Sequence, residues 1–222
     1  MEVSSFRPRD FELTVGKEGN AVEPLRLESD EVSVELRGKI DRVDTFEDGD
    51  GKLYVRVVDY KTGLKTFRIE NVKLGLDMQM LLYLFSIWEN GEKRYQNEPL
   101  PAAVLYTGIR PPQVDMKIGE DAEAFESAVS ASGLFLKNED ILRAMDPMLK
   151  GDFIPVKQAD LAKEKANVIG AGAFADLKKE VTDVVLKYAA ELKKGVACAQ
   201  PMENDGLPCE YCKMKAVCRA AK

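Results

Sequence analysis

The sequence predicts an α/β protein in which helices flank a small mixed sheet, and three observations carry that prediction. Residues 31–44, EVSVELRGKIDRVD, alternate apolar and polar side chains as a half-buried strand does. Two Asp-Gly pairs follow in FEDGDGK, a strong hairpin-turn signal, and LYVRVVDYKTG returns from the turn. The long apolar stretch GLDMQMLLYLFSIWENG then precedes another strand-like run, AAVLYTGI. Strand, strand, helix, strand and then helices is an α/β or α+β order.

Composition narrows the function classes. The 222 residues are 45% hydrophobic and 32% charged, which suits one domain with a real core. The N-terminal MEVSSFRPRDFE has no apolar run, and no segment approaches the ~20 residues that cross a membrane, so the expected location is cytoplasmic. A net charge of −6 counts against a free-standing DNA-binding module, which is normally basic. It does not exclude an enzyme to which a partner delivers DNA. The sequence contains no histidine, which removes serine–histidine, cysteine–histidine and histidine-ligated zinc catalysis.

The elements follow in order. The first 30 residues have apolar beats at Phe6, Phe11, Leu13 and Val15 and are expected to be extended or irregular. In 31–44, Val32, Val34, Leu36, Gly38 and Ile40 share one face, and Glu35, Arg37, Lys39 and Asp41 the other. The return strand, 53–63, is apolar on both faces near its end, as a central strand would be. A buried helix is predicted over about 75–89, and a strand over 102–109 that Arg110-Pro111-Pro112 stops. Two short amphipathic helices are predicted at about 120–131 and 138–145, separated by Gly133. Phe174, Leu177, Val181, Val184, Val185, Tyr188 and Leu192 keep helical spacing, with Gly195 at the C-terminal cap. The reading is one domain over 1–195, with a cysteine segment, 196–222, packed on it.

Chemistry concentrates at the end of the hairpin. A strand sends residues i and i+2 to one face, so Asp59 and Lys61 of VVDYKTG point the same way. If 31–44 and 53–63 pair through the Asp-Gly turn, Asp41 falls opposite or diagonal to Asp59, within about 5–8 Å. Two carboxylates that close repel unless a cation lies between them, and Mg²⁺ or Mn²⁺ with retained waters meets that need. A D-x-K tripeptide by itself is usually a surface ion pair. Gln79 and Tyr83 strengthen the functional reading, because a glutamine among Met78, Met80, Leu81 and Leu82 needs a polar partner, and Tyr83 stands at i+4. Arg42 and Asp44 fall on the strand face away from Asp41 and are read as structural.

Cysteines stand at 198, 209, 212 and 218, the last three spaced C-x2-C-x5-C. Clustered thiolates suit zinc or an iron–sulfur centre, and spacing does not choose between them; disulfides or free thiols are the plainer alternative. Lys213, Lys215, Arg219 and Lys222 interleave with this loop, as a solvated face or as DNA contacts.

GKIDRVD, VVDYKTG and QMLLY together resemble the nuclease motifs of the RecB family, within the restriction-endonuclease-like PD-(D/E)XK fold. The whole chain, including ILRAMDP, FADLKKEV and the terminal cysteines, is similar to AddB-type nuclease domains of bacterial helicase–nucleases. The resemblance implies a metal-dependent DNA exonuclease that cuts strands unwound by an AddA-type partner in double-strand-break repair. It implies Asp41 and Asp59 as metal ligands with the Tyr60 carbonyl as a third, Lys61 as the catalytic lysine, and Gln79 and Tyr83 as the supporting pair. It also implies a [4Fe–4S] cluster on Cys209, Cys212 and Cys218, with a fourth cysteine and a histidine placed upstream of the nuclease core. Neither occurs upstream here, so the chain is expected to be a fragment whose cluster is missing or incomplete unless Cys198 completes it. Two rival readings are a catalytically inactive module that docks the helicase partner, and a stand-alone nuclease of the CRISPR-adaptation kind.

Overall fold

A computed structural model describes residues 4–16, 22–63, 65–108, 131–151, 153–196, 209, 212–214 and 216–218. The Asp-Gly turn joins two strands as the sequence predicts. In it the Asp48 Oδ1 accepts the amides of Asp50 and Lys52, and Gly51 takes a left-handed φ of 78°. The strands it joins pair antiparallel at the centre of a six-stranded mixed sheet.

In chain order the strands are β1 (Arg7–Val15), β2 (Leu25–Glu28), β3 (Ser33–Leu36), β4 (Gly38–Glu47), β5 (Leu53–Lys61), β6 (Pro99–Gly108), β7 (Ala131–Leu136) and β8 (Val168–Ile169). The large sheet runs β1-β4-β5-β6-β7-β8, with β5–β6 and β7–β8 parallel and the other pairs antiparallel. A 3-10 turn (Ile69–Leu74) and helices α1 (Gln79–Asn90) and α2 (Glu92–Tyr95) form the crossover from β5 to its parallel neighbour β6. Helices α3 (Glu139–Met145) and α4 (Ala171–Lys193) follow, with a second 3-10 turn (Gln158–Asp160) between them. The mixed sheet flanked by helices agrees with the predicted fold class.

The core explains this layering. Val55, Val57 and Val58 of β5 and Ala102, Ala103 and Val104 of β6 are buried on both faces, the signature of central strands. α1 buries Met80, Leu81, Leu84, Phe85 and Ile87 against them, each side chain contributing roughly 1.5–3 kcal/mol relative to exposure. α4 buries Phe174, Leu177 and Val181, whereas Leu192, the last member of its predicted stripe, is 75% exposed. Gly195 takes φ 72° just past this helix, as its predicted cap requires.

Several expectations change. The alternating run 31–44 is not one strand: β3 pairs with β2 in a separate two-stranded sheet, and β4 begins at Gly38. The break coincides with Tyr83 of α1, whose hydroxyl would lie 2.6 Å from a Cβ at position 38. α1 starts four residues later than predicted, because Gly75 at φ 77° closes the preceding 3-10 turn. Gly133, read as a separator between two helices, lies inside β7, paired with Leu105 of β6. The predicted helix at 120–131 falls on residues outside those described, apart from Ala131, which opens β7, and Arg110-Pro111-Pro112 lies outside them entirely. The N-terminal stretch is extended, in keeping with its reading as extended or irregular, and forms the edge strand β1, where Pro8 needs no ladder donor. Among the described residues no helix is long and apolar enough to cross a membrane.

Candidate active site

The β4–β5 pairing runs in register from Glu47↔Leu53 to Arg42↔Val58. Beyond it the backbone of β4 no longer serves as partner, and the Tyr60 amide donates instead to Asp41 Oδ2 at 3.0 Å. Asp41 is thereby held against the residue next to Asp59. On β5 the alternation places Asp59 and Lys61 together, and Lys61 Nζ lies 2.7 Å from Asp59 Oδ2. Three of the residues singled out in the sequence therefore collect at one end of the central strand pair.

Their environments differ. Asp59 is buried, whereas the Lys61 side chain is 35% exposed. Asp59 Oδ2 is shielded from solvent, with the Lys61 ammonium as its close charged neighbour. Lys61 Nζ also lies 5.6 Å from the centroid of the Tyr106 ring, and Lys65 Nζ lies 5.9 Å from it. Tyr106 stands beside Asp59 in the parallel β5–β6 register. Burial, and then the charges of Asp77 and Asp59, push its phenol well above the ordinary tyrosine range, so it stays protonated.

A cleft of about 690 Å³ opens in front of Lys61, walled by Lys65, Asp77, Gln79, Tyr83 and Tyr106 among others. Gln79 Nε2 donates to the Tyr83 hydroxyl at 3.2 Å, but Gln79 is exposed at the start of α1 rather than buried among its apolar neighbours, so burial does not impose that partner. Asp41 and Asp59 are not part of the cleft wall; Lys61 connects the two regions.

Lys65, Asp77 and Tyr106 were not singled out from the sequence. Asp77 takes a left-handed φ of 55°, a costly conformation for a residue with a side chain. Its carboxylate, 4% exposed, pairs with Lys65 and accepts from Asn71 Nδ2 at 2.8 Å. The available signal was an aspartate two residues ahead of Gln79, between a helix-breaking glycine and a helix start. Tyr106 had a weaker one, a polar-tipped aromatic at the end of an apolar strand.

On the other face of β4 and β5 lies a buried charge network. Asp44, fully buried, receives Arg42 Nη2 at 2.9 Å and Arg56 Nε at 2.8 Å, and Arg42 Nη1 donates to the Tyr60 hydroxyl at 2.6 Å. The Arg56 guanidinium stacks over Phe6 at 5.0 Å. Burial lowers the Arg56 basicity, and the Asp44 charge opposes that shift.

The donors at the β4–β5 end suit a hard divalent cation. They are carboxylate oxygens on Asp41 and Asp59, with Asp59 Oδ2 shielded from solvent, and the backbone carbonyl of Tyr60 is a further oxygen on the same strand. Among the described residues no three His, Cys, Asp or Glu side chains form a group able to hold a metal, so waters would complete the shell. The same holds for sulfur. Cys209 and Cys218 are half-buried, Cys212 is exposed, all three are free thiols, and they do not converge on one centre. Cys198, Lys215, Arg219 and Lys222 lie outside the described residues.

A family model described as the PD-(D/E)XK nuclease superfamily matches residues 1–219. The chain belongs to this nuclease superfamily. Its relatives include proteins named as subunits of an ATP-dependent helicase/deoxyribonuclease. That of Acetivibrio thermocellus is 33% identical over 227 residues, covering 97% of this chain and 20% of the relative. That of Clostridium botulinum is 31% identical with the same coverage, and that of Clostridium kluyveri 31% identical over 99% of this chain and 20% of its own. The chain thus spans about one fifth of the length of these relatives.

Proposed function

We propose that this chain is the nuclease domain of a cytoplasmic helicase–nuclease complex. It is a Mg²⁺- or Mn²⁺-dependent DNA exonuclease that hydrolyses phosphodiester bonds of single strands unwound with an AddA-type partner, in double-strand-break repair and recombination. The observation that carries this reading is the Asp59–Lys61 pair at 2.7 Å, next to an Asp41 fastened to the amide between them. The superfamily and the names of the relatives support it.

Asp41, Asp59 and the Tyr60 carbonyl would hold the cation, whose chemistry when bound is to acidify a water and polarise the phosphoryl oxygens. Lys61 faces the cleft and offsets negative charge building on the phosphate. At ~4 Å and an effective dielectric near 20 that interaction is about 4 kcal/mol, less where water reaches the ammonium. Gln79 and Tyr83, tied to each other on the cleft wall, position the strand. An iron–sulfur cluster on Cys209, Cys212 and Cys218 rests on the family resemblance alone: their spacing suits zinc equally, the three thiols do not converge as placed, and a fourth ligand would have to come from Cys198.

The test is made in the assembled complex. Asp41→Ala, Asp59→Ala and Lys61→Ala are each expected to abolish cleavage of single-stranded DNA while unwinding continues. A variant that cuts at the parental rate removes the role assigned to that residue.

A further inference from the structure

Two neighbouring residues of β4 take hold of one residue of β5 from opposite ends. Asp41 Oδ2 accepts the Tyr60 amide at 3.0 Å, and Arg42 Nη1 donates to the Tyr60 hydroxyl at 2.6 Å. The register between the strands ends at Arg42↔Val58, so the tie between β4 and Tyr60 consists of these side-chain bonds rather than of backbone pairing. We infer that Arg42 and Tyr60 are positioning residues: the anchored phenol fixes the Tyr60 peptide, and that peptide fixes the carboxylate of Asp41. The role of Asp41 as a ligand rests on the proposed function; the grip itself does not.

The anchor is itself braced. Arg42 Nε lies 2.8 Å from Asp44 Oδ1, and Arg56 Nη2 lies 2.7 Å from Asp44 Oδ2. Arg56 in turn stacks on Phe6, which packs on Phe46 at 5.4 Å. The Arg42 guanidinium also lies 5.6 Å from the Tyr60 ring centroid, so contact with the ring and the hydroxyl bond restrain the same side chain. Buried ion clusters of this kind add little stability over apolar residues of equal volume, because desolvation offsets their attraction. What they supply is a fixed direction. Here that direction runs through the sheet, from a sealed charge cluster on one face to the carboxylates at the strand end.

The experiment measures amide hydrogen exchange in the full chain, free of metal and DNA, for the parent and for Tyr60→Phe. The substitution deletes one hydroxyl and keeps the ring. The expected result is a roughly tenfold or greater acceleration at the residue-60 amide that exceeds any change at the Val57 and Val58 amides. Unchanged protection at position 60 overturns the inference. So does acceleration spread evenly over β4 and β5, which a merely structural role would produce. Arg42→Met gives the same local acceleration if it folds, and Tyr60→Phe decides the matter if it does not. Because no cleavage enters the measurement, a chain that shows the local effect yet never cuts DNA in the assembled complex overturns the proposed function and leaves the grip standing.

Discussion

Asp44 shows how the cost of a substitution depends on what is left behind. Asp44→Ala leaves Arg42 and Arg56 buried without the carboxylate they share, and breaking a buried pair this way costs about 3–5 kcal/mol. Replacing Arg42, Asp44 and Arg56 together by apolar residues of similar volume should cost far less, and urea unfolding of the two proteins measures the difference. Asp10 gives the pH counterpart. Burial raises its carboxyl pKa, but hydrogen bonds from Arg94 and Tyr95 and the Arg94 charge outweigh burial and hold it below the usual aspartate value of 3.8. A depressed folded pKa means that the stabilisation is complete above the unfolded value and is lost as pH falls through the folded one. Asp10→Asn should therefore be less stable than the parent at about pH 7, with the gap closing on acidification below about pH 4. A gap that persists in acid would show that the contribution of Asp10 does not depend on its charge.

At the scale of elements, the glycines carry the sharpest expectation. A Cβ at Gly133 would meet the Val104 carbonyl oxygen of the neighbouring strand well inside contact distance, and backbone in a central sheet cannot retreat. Gly133→Ala should destabilise the fold by more than the ~1–3 kcal/mol typical of overpacking, with the melting temperature as readout. A Cβ at Gly38 meets only the tip of Tyr83, so Gly38→Ala should instead move that side chain and disturb its bond to Gln79 at smaller cost in stability. The elements that the sequence disclosed are those whose pattern is local: the Asp-Gly hairpin, β5, β6, α1 and α4. The cap of α3 was equally local, with Asn138 Oδ1 accepting the amides of Asp140 and Ile141. β7, in ASGLFLK, was hidden because a short apolar run next to Ser-Gly reads as a turn between helices until β6 and β8 are there to pair with it. The split between β3 and β4 was hidden for a related reason. Alternation continues through Arg37, and the pairing of β3 with β2 and of β4 with β1 and β5 is made by strands that no local period reveals. At the site, alternation alone gave Asp59 with Lys61. The Asp77–Lys65 pair and Tyr106 came from a loop and a neighbouring strand, where no residue period operates.

The molecule as a whole carries a net charge of −6, and the cations near its cleft are already engaged. Lys61 pairs with Asp59, Lys65 with Asp77, and Arg37 with Glu35, whose Oε1 lies 2.7 Å from Arg37 Nη2. Phosphates approaching this surface find little uncompensated positive charge, so few counterions would be released on binding. The affinity of the chain alone for single-stranded DNA should then be weak, in the range of about 10⁻⁴–10⁻⁶ M typical of non-specific binding or weaker, with a shallow dependence on salt. A divalent cation at Asp41 and Asp59 would reverse the local sign, converting a pair of carboxylates into a site that attracts phosphate. Ca²⁺ serves as the probe, since it takes hard oxygen ligands as the proposed Mg²⁺ or Mn²⁺ would, while a larger radius suits it poorly to the same chemistry. Fluorescence anisotropy with a labelled oligonucleotide should show binding strengthened by Ca²⁺ in the parent, reversed by chelation, and insensitive to Ca²⁺ in Asp59→Ala. Equal Ca²⁺ enhancement in parent and variant would place the cation elsewhere and leave Asp59 without the role assigned to it. Tight binding without any divalent ion would mean instead that the carboxylates at the strand end do not govern how the strand is held, and that delivery by a partner is not needed to overcome the acidity of this surface.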